Sequence, residues 1–200
     1  MAPSTPVVLQ VESAHDFVQY ILDKHAPPTT LVVCSSKADF ITALQSTELE
    51  SSVWQVSTLR MLSTSRTVKL AFCPDITHLR AYLASRSTDN STSTDTGLRQ
   101  SNAMPMLALL DPIQLHRPTS AFSAQGLNRS FAIAVEAARH LGVKLVMAET
   151  DATAWDEELS MLNVTTKRLG ELSVGRTVKA RVVAERWCTF ERLHDDTKDE

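Results

Sequence analysis

The feature that most narrows what this chain can become is its alternation of short apolar runs with segments of helical periodicity. Thr29–Cys34, Thr67–Cys73, Met104–Leu110 and Val143–Ala148 are rich in aliphatic and β-branched residues and show little polar alternation. A strand with one wet face alternates apolar and polar side chains, whereas a nearly continuous apolar run needs cover on both sides. Helical patterns lie between these runs. Ser13–His25 carries Ala14, Phe17, Ile21 and Leu22 on one face, and Lys37–Gln45 carries Phe40, Ile41 and Leu44. A helix opening at Pro74-Asp75 aligns Ile76, Leu79, Tyr82 and Leu83. A long one over Ser120–Leu141 aligns Leu127, Phe131, Ala134, Val135, Ala138 and Leu141. Pro27-Pro28 stops the first helix and Gly142 caps the last. This order predicts an α/β fold with a mostly parallel sheet covered by helices on both faces.

The remaining segments are shorter. Val53–Leu62 reads as a short strand followed by a helix, Trp155–Leu159 as a short helix and Met161–Thr166 as a further strand. Thr177–Val183 and Arg186–Phe190 are β-rich runs joined at Ala184-Glu185, which predicts a C-terminal antiparallel hairpin. The stretch 86–103 is a polar loop, and its core, Ser87–Gly97, has too few apolar side chains to offset ordering by burial. It could link two domains, but the pieces on either side are small for independent folding. The reading is therefore one domain over residues 1–200 with an inserted flexible loop and a charged tail, 193–200, that frays.

Composition bounds the function. Hydrophobic residues make up 43%, enough for a core, and the formal net charge of −3 gives the whole chain no attraction for nucleic acid, so such a surface must be local. Met1–Gln10 has neither a basic region nor a long apolar run, which argues against export and against membrane insertion. The triplets at Asn90, Asn128 and Asn163 are then chance glycosylation matches. Cys34, Cys73 and Cys188 lack paired spacing, which argues against zinc and against a disulfide framework; they read as buried small apolar residues in a reducing compartment.

Ligands of wound sheets bind at the carboxyl ends of strands. After Cys34 the chain runs Ser35-Ser36-Lys37-Ala38-Asp39, with no glycine and no Lys-Ser/Thr pair to wrap a triphosphate, and Asp39 would repel one. None of the five glycines falls in the first 96 residues. After the third run, Asp111 has the form of a magnesium-holding carboxylate at the end of an apolar strand, or simply begins a turn before Pro112. No Gly-x-Ser-x-Gly is present, His116 has no nucleophile placed with it, and His78 and His140 read as solvated helix residues. Basic residues gather late: Lys167, Arg168, Arg176, Lys179, Arg181, Arg186 and Arg192. On an alternating strand Lys179 and Arg181 would share a face, able to meet phosphates or to guard a sheet edge by charge.

The order Leu107–Asp111, then Pro112–Arg117, a long amphipathic helix and Val143–Met147 resembles the second half of a RecA-type recombinase core. Gly175–Glu191 is similar to that family's terminal strands. The resemblance implies a three-layer RecA-like (P-loop NTPase-type) fold without a functional P-loop, similar to the non-catalytic small subunits of the Shu recombination-mediator complex. It implies a nuclear pseudo-ATPase of homologous recombination and DNA repair, with no cofactor and no small-molecule substrate. Its partners would be another RecA-like subunit and single-stranded or forked DNA. By position, Ser35, Ser36, Lys37 and Asp111 would be a vestigial nucleotide site, and Arg176, Lys179, Arg181 and Arg186 the DNA contacts. The RecA-like subunits of the Elongator complex, cytoplasmic and RNA-binding, are the alternative resemblance. A pure interaction scaffold is the alternative reading of the residues.

Overall fold

A computed structural model describes residues 5–48, 59–86, 104–161, 167–168, 171–172 and 176–193. Its centre is a six-stranded sheet of β1 (Val7–Gln10), β2 (Thr29–Val33), β3 (Val68–Phe72), β4 (Met106–Leu110), β5 (Lys144–Glu149) and β10 (Thr189–Arg192). The order across the sheet is β10-β1-β5-β4-β2-β3, and every neighbouring pair is parallel. The helices are α1 (Ala14–Lys24), α2 (Lys37–Glu48), α3 (Leu59–Ser65), α4 (Ile76–Arg86), α5 (Pro112–His116), α6 (Ala124–Leu141) and α7 (Ala180–Ala184), with a 3-10 turn at Ala152–Asp156. Two small antiparallel pairings stand beside the sheet: β6 (Glu158–Ser160) with β9 (Thr177–Lys179), and the hairpin β7 (Lys167–Arg168) with β8 (Glu171–Leu172).

The runs that form β2, β4 and β5 are buried on both faces, as their lack of alternation requires, whereas β3, at the sheet edge, is only partly buried. Leu31, Val33, Met106, Ala108, Leu110, Val146 and Ala148 pack with Phe17 and Ile21 of α1 and Phe40 of α2. The alternate residues Val32, Leu107, Leu109, Leu145 and Met147 pack with Leu79 and Leu83 of α4, Leu127 and Phe131 of α6, and Ala180 and Val183 of α7. Each fully buried Leu or Phe of this kind contributes about 1.5–3 kcal/mol relative to exposure. Local sequence starts and stops the long helices. The Ser13 hydroxyl accepts from Asp16 N to open α1, and Ser123 Oγ accepts from Gly126 N to open α6. Gly142, at φ 65°, closes α6 in the left-handed region where a side chain would be strained.

Three expectations need correction. First, Val7–Gln10 carries no strand in the sequence reading, yet it is an interior strand between β5 and β10. Second, Thr177–Val183 does not pair with Arg186–Phe190. Ala180, Val183 and Ala184 recur at helical spacing and are buried, so the chain turns into α7 and then enters β10 parallel to β1. The antiparallel hairpin exists, but at Lys167–Leu172. Third, the long helix starts at Ala124, preceded by the short helix α5 that the sequence reading did not contain, and the short helix expected at Trp155–Leu159 is instead the 3-10 turn Ala152–Asp156 followed by β6. Residues 87–103, the strand reading at 53–58 and at 162–166, and the tail from His194 lie outside the described residues. Among the described residues no helix is long and apolar enough to cross a membrane.

Candidate functional site

The faces to which successive helices depart decide where a ligand could enter. α1 leaves β1 toward one face, while the chain after neighbouring β5 packs on the other; β2 and β4 diverge in the same way. These are the switch points at which wound sheets open crevices at their carboxyl edge. The turns at that edge are Val11–Ser13, Cys34–Ser36, Cys73–Asp75, Asp111 and Thr150–Asp151.

Asp111 sits at φ 58°, ψ 43°, a left-handed conformation that costs a non-glycine residue about 1–2 kcal/mol. This conformation turns its carboxylate away from α5 and toward β5, where Oδ1 accepts from Thr150 N (2.7 Å) and Thr150 Oγ1 (2.9 Å). The start of α5 is capped instead by Glu149, whose carboxylate accepts from Ile113 N and, at 3.4 Å, from Gln114 N. Glu149 is 1% exposed, and burial pushes its acid well up, with Asp111 adding to the shift. Burial also raises Asp111, against the pull of its Thr150 bonds. Beside them Arg117 donates to Asp151 Oδ2 (2.8 Å), Glu157 and Gln114. Its fork is filled by groups of its own chain, and hydrogen bonds from Thr153 and Arg117 hold Asp151 down at about 2.

The segment Ser35–Asp39 is closed in the same manner. Ser36 Oγ accepts from Asp39 N (3.2 Å) and donates to Asp39 Oδ2 (2.6 Å), a reciprocal cap that puts a carboxylate where a phosphate would lie. Lys37 is exposed on the first turn of α2. The turn after β1, which the sequence reading did not consider, repeats this device: Ser13 Oγ donates to Asp16 Oδ2 at 2.8 Å. At α4, Asp75 Oδ1 accepts from His78 N at 2.8 Å, and the His78 ring lies against Oδ2. Four helix starts at this edge are thus closed by side-chain carboxyl groups, and among the described residues no cluster of acids, histidines and cysteines could hold a metal.

Ser35, Ser36, Lys37 and Asp111 therefore stand just past the ends of adjacent strands, β2 and β4, which are joined there by Cys34 N donating to Leu110 O at 2.9 Å. The late basic residues are not gathered on one strand face. Lys179 ends β9 and pairs with Asp156 at 3.0 Å. Arg181 lies on α7, bonded to Glu185 at 3.0 Å and stacked 4.5 Å above the Phe190 ring. Arg176 and Arg186 are exposed, and neither forms an ion pair among the described residues. The shared face expected of Lys179 and Arg181 fails because the chain becomes helical between them.

His116 is fully buried, with Nδ1 donating to Pro112 O (2.7 Å) and Nε2 accepting from Ser130 Oγ (3.0 Å), while Arg80 Nε donates to the same oxygen (3.0 Å). This Ser–His pair is a packing network joining α4, α5 and α6; Ser130 is 2% exposed and unreachable by substrate. His78 and His140 are exposed, as expected. Asn128 accepts from Trp187 Nε1 at 2.9 Å. Glu149 was missed although it left a signal: it is the one acid that continues the apolar run Leu145–Ala148. No model of a known protein family and no curated protein matches this sequence.

Proposed function

We propose that the chain is a non-catalytic RecA-like subunit that acts in a recombination-mediator complex, through surfaces and not through nucleotide turnover. One observation carries the negative half of this reading. Four helix starts at the carboxyl edge, those of α1, α2, α4 and α5, are closed by a carboxyl group of the chain itself, and among the described residues the turns that lead into them offer neither glycine nor a lysine aimed inward. A polyphosphate brought to that edge would meet Asp16, Asp39, Asp75 and Glu149 in place of free N–H groups. The positive half is supported by β4 ending in Asp111, by Arg117 and the long α6 that follow, and by β5 lying directly beside β4.

On this reading Arg176 and Arg186 are the available phosphate contacts, because Lys179 and Arg181 are already engaged by Asp156 and Glu185. The test is a titration of single-stranded and forked DNA at several salt concentrations. The reading expects binding that falls steeply with salt and is weakened more by Arg176→Glu with Arg186→Glu than by Lys179→Ala with Arg181→Ala. It also expects no thermal shift with ATP and magnesium, since a ligand of the native state must stabilise it. The same two ion pairs favour a second reading, a scaffold subunit without nucleic-acid contact. Flat DNA titrations together with a co-purifying RecA-like partner would select it.

A further inference from the structure

Cys34 and Cys73 stand just past the ends of β2 and β3. The register pairs Val33 with Phe72, and Cys73 N donates to Val33 O at 2.9 Å, which extends the ladder one step and sets Cys34 opposite Cys73. Both belong to the core on the α4–α6 side of the sheet, so both side chains leave the same face. Adjacent strands lie about 4.8 Å apart, within the roughly 4.4–6.8 Å that separates the Cα atoms of disulfide-bonded cysteines. Both thiols are free. We propose that Cys34 and Cys73 form an oxidation site that closes to a disulfide on exposure to a peroxide and ties the edge strand β3 to β2.

The site is protected until the edge opens. Each thiol is 2% exposed, and burial raises both, so little thiolate is present in the closed sheet. Among the described residues β3 has one neighbour, and it is only partly buried; edges of this kind open locally far more often than the whole domain unfolds. Opening frees Cys73. Its thiolate attacks one peroxide oxygen, the O–O bond breaks, and a sulfenic acid and a water result. The Cys34 sulfur then displaces the sulfenic hydroxyl, the S–S bond forms and a second water leaves. Two thiols and one hydrogen peroxide thus give one disulfide and two waters, the peroxide taking both electrons. Cys188 is an internal control, because it precedes β10 at the opposite, amino edge of the sheet and has no cysteine across from it.

The test treats the folded, full-length chain with hydrogen peroxide, digests it without reduction and maps the peptides by mass spectrometry. The expected product joins the Cys34 and Cys73 peptides, two hydrogens lighter than their sum, leaves Cys188 unmodified and reverts with dithiothreitol. In Cys34→Ser the reaction should stop at a Cys73 sulfenic acid that dimedone traps. Sulfinic acid on Cys73 without linkage in the wild type, a linkage to Cys188, or no reaction at any of the three thiols overturns the proposal.

Discussion

Replacing Glu149 with glutamine isolates the energetic cost of a buried acid at the centre of the carboxyl edge. Glu149 is 1% exposed, and burial together with Asp111 lifts its acid well above the ordinary value near 4.5, against the pull of the Ile113 and Gln114 amides and Arg117. The folded chain therefore holds this proton over a pH range in which the unfolded chain has released it. The contribution to stability is complete below about pH 4.5 and is lost as pH rises through the folded value. For one proton the loss runs at about 1.36 kcal/mol per pH unit. Glutamine cannot titrate; it keeps an oxygen for Ile113 N and gives up the longer, 3.4 Å bond from Gln114 N. Urea unfolding measured from about pH 4 to about pH 8 should find the two proteins within about 1 kcal/mol at the acid end. The variant should then gain on the wild type by about 1.4 kcal/mol per unit until the folded carboxyl ionises, with unchanged denaturant slope. Parallel stability curves would refute the reasoning, because they require Glu149 to ionise at the same pH folded and unfolded.

His116 behaves in the opposite sense: burial and the nearby Arg80 lower it, so its contribution is full above about pH 6.5 and is lost as pH falls toward the folded midpoint. His116→Gln should flatten that acid-side loss, and Arg80→Met should move the imidazole titration, followed by NMR, upward. Leu79→Ala empties a site that is 0% exposed and should cost about 2–5 kcal/mol in chemical denaturation, whereas Leu70→Ser, 51% exposed on the edge strand, should change stability by less than about 0.5 kcal/mol. Gly126→Ala should destabilise by about 1–3 kcal/mol in thermal unfolding although alanine is the better helix former, because its Cβ would stand 2.0 Å from Ala121 O.

The interior strands were legible because burial on both faces leaves a run of apolar residues that no solvent-facing pattern imitates. Thr29–Val33 and Met106–Leu110 could hardly be anything else. Val7–Gln10 escaped because a four-residue run is too short to show periodicity, and its assignment to the interior depends on β5 and β10, which come from far along the chain. The C-terminal error has a different origin. Val178, Ala180 and Val182 alternate with Lys179 and Arg181, but Ala180, Val183 and Ala184 also satisfy helical spacing, and packing against α6 selects the second pattern. Val182, the residue that fits only the first, is left 48% exposed. At the candidate site the missing glycines were readable from composition. The filling of each helix start was only partly so: Ser36-x-x-Asp39 is a local motif, whereas Glu149 reaches α5 across strands that are neighbours only in space.

That difference bears on how firmly the edge is closed. Glycines alone would not open it to phosphate. At α1 and α2 the carboxylates of Asp16 and Asp39 hold the Ser13 and Ser36 caps in place, and at α4 and α5 the acids are themselves the caps. Loss of such a cap costs about 0.5–2 kcal/mol, so clearing several starts at once would remove a large part of the roughly 5–15 kcal/mol that keeps a domain folded. The acidity that excludes a polyphosphate is the same acidity that begins the helices. Substitutions at Lys179 of β9, Arg181 of α7 and Arg186 just after α7, all near the surface, have little consequence for the core. Nucleotide binding at the carboxyl edge would require new ways to start those helices.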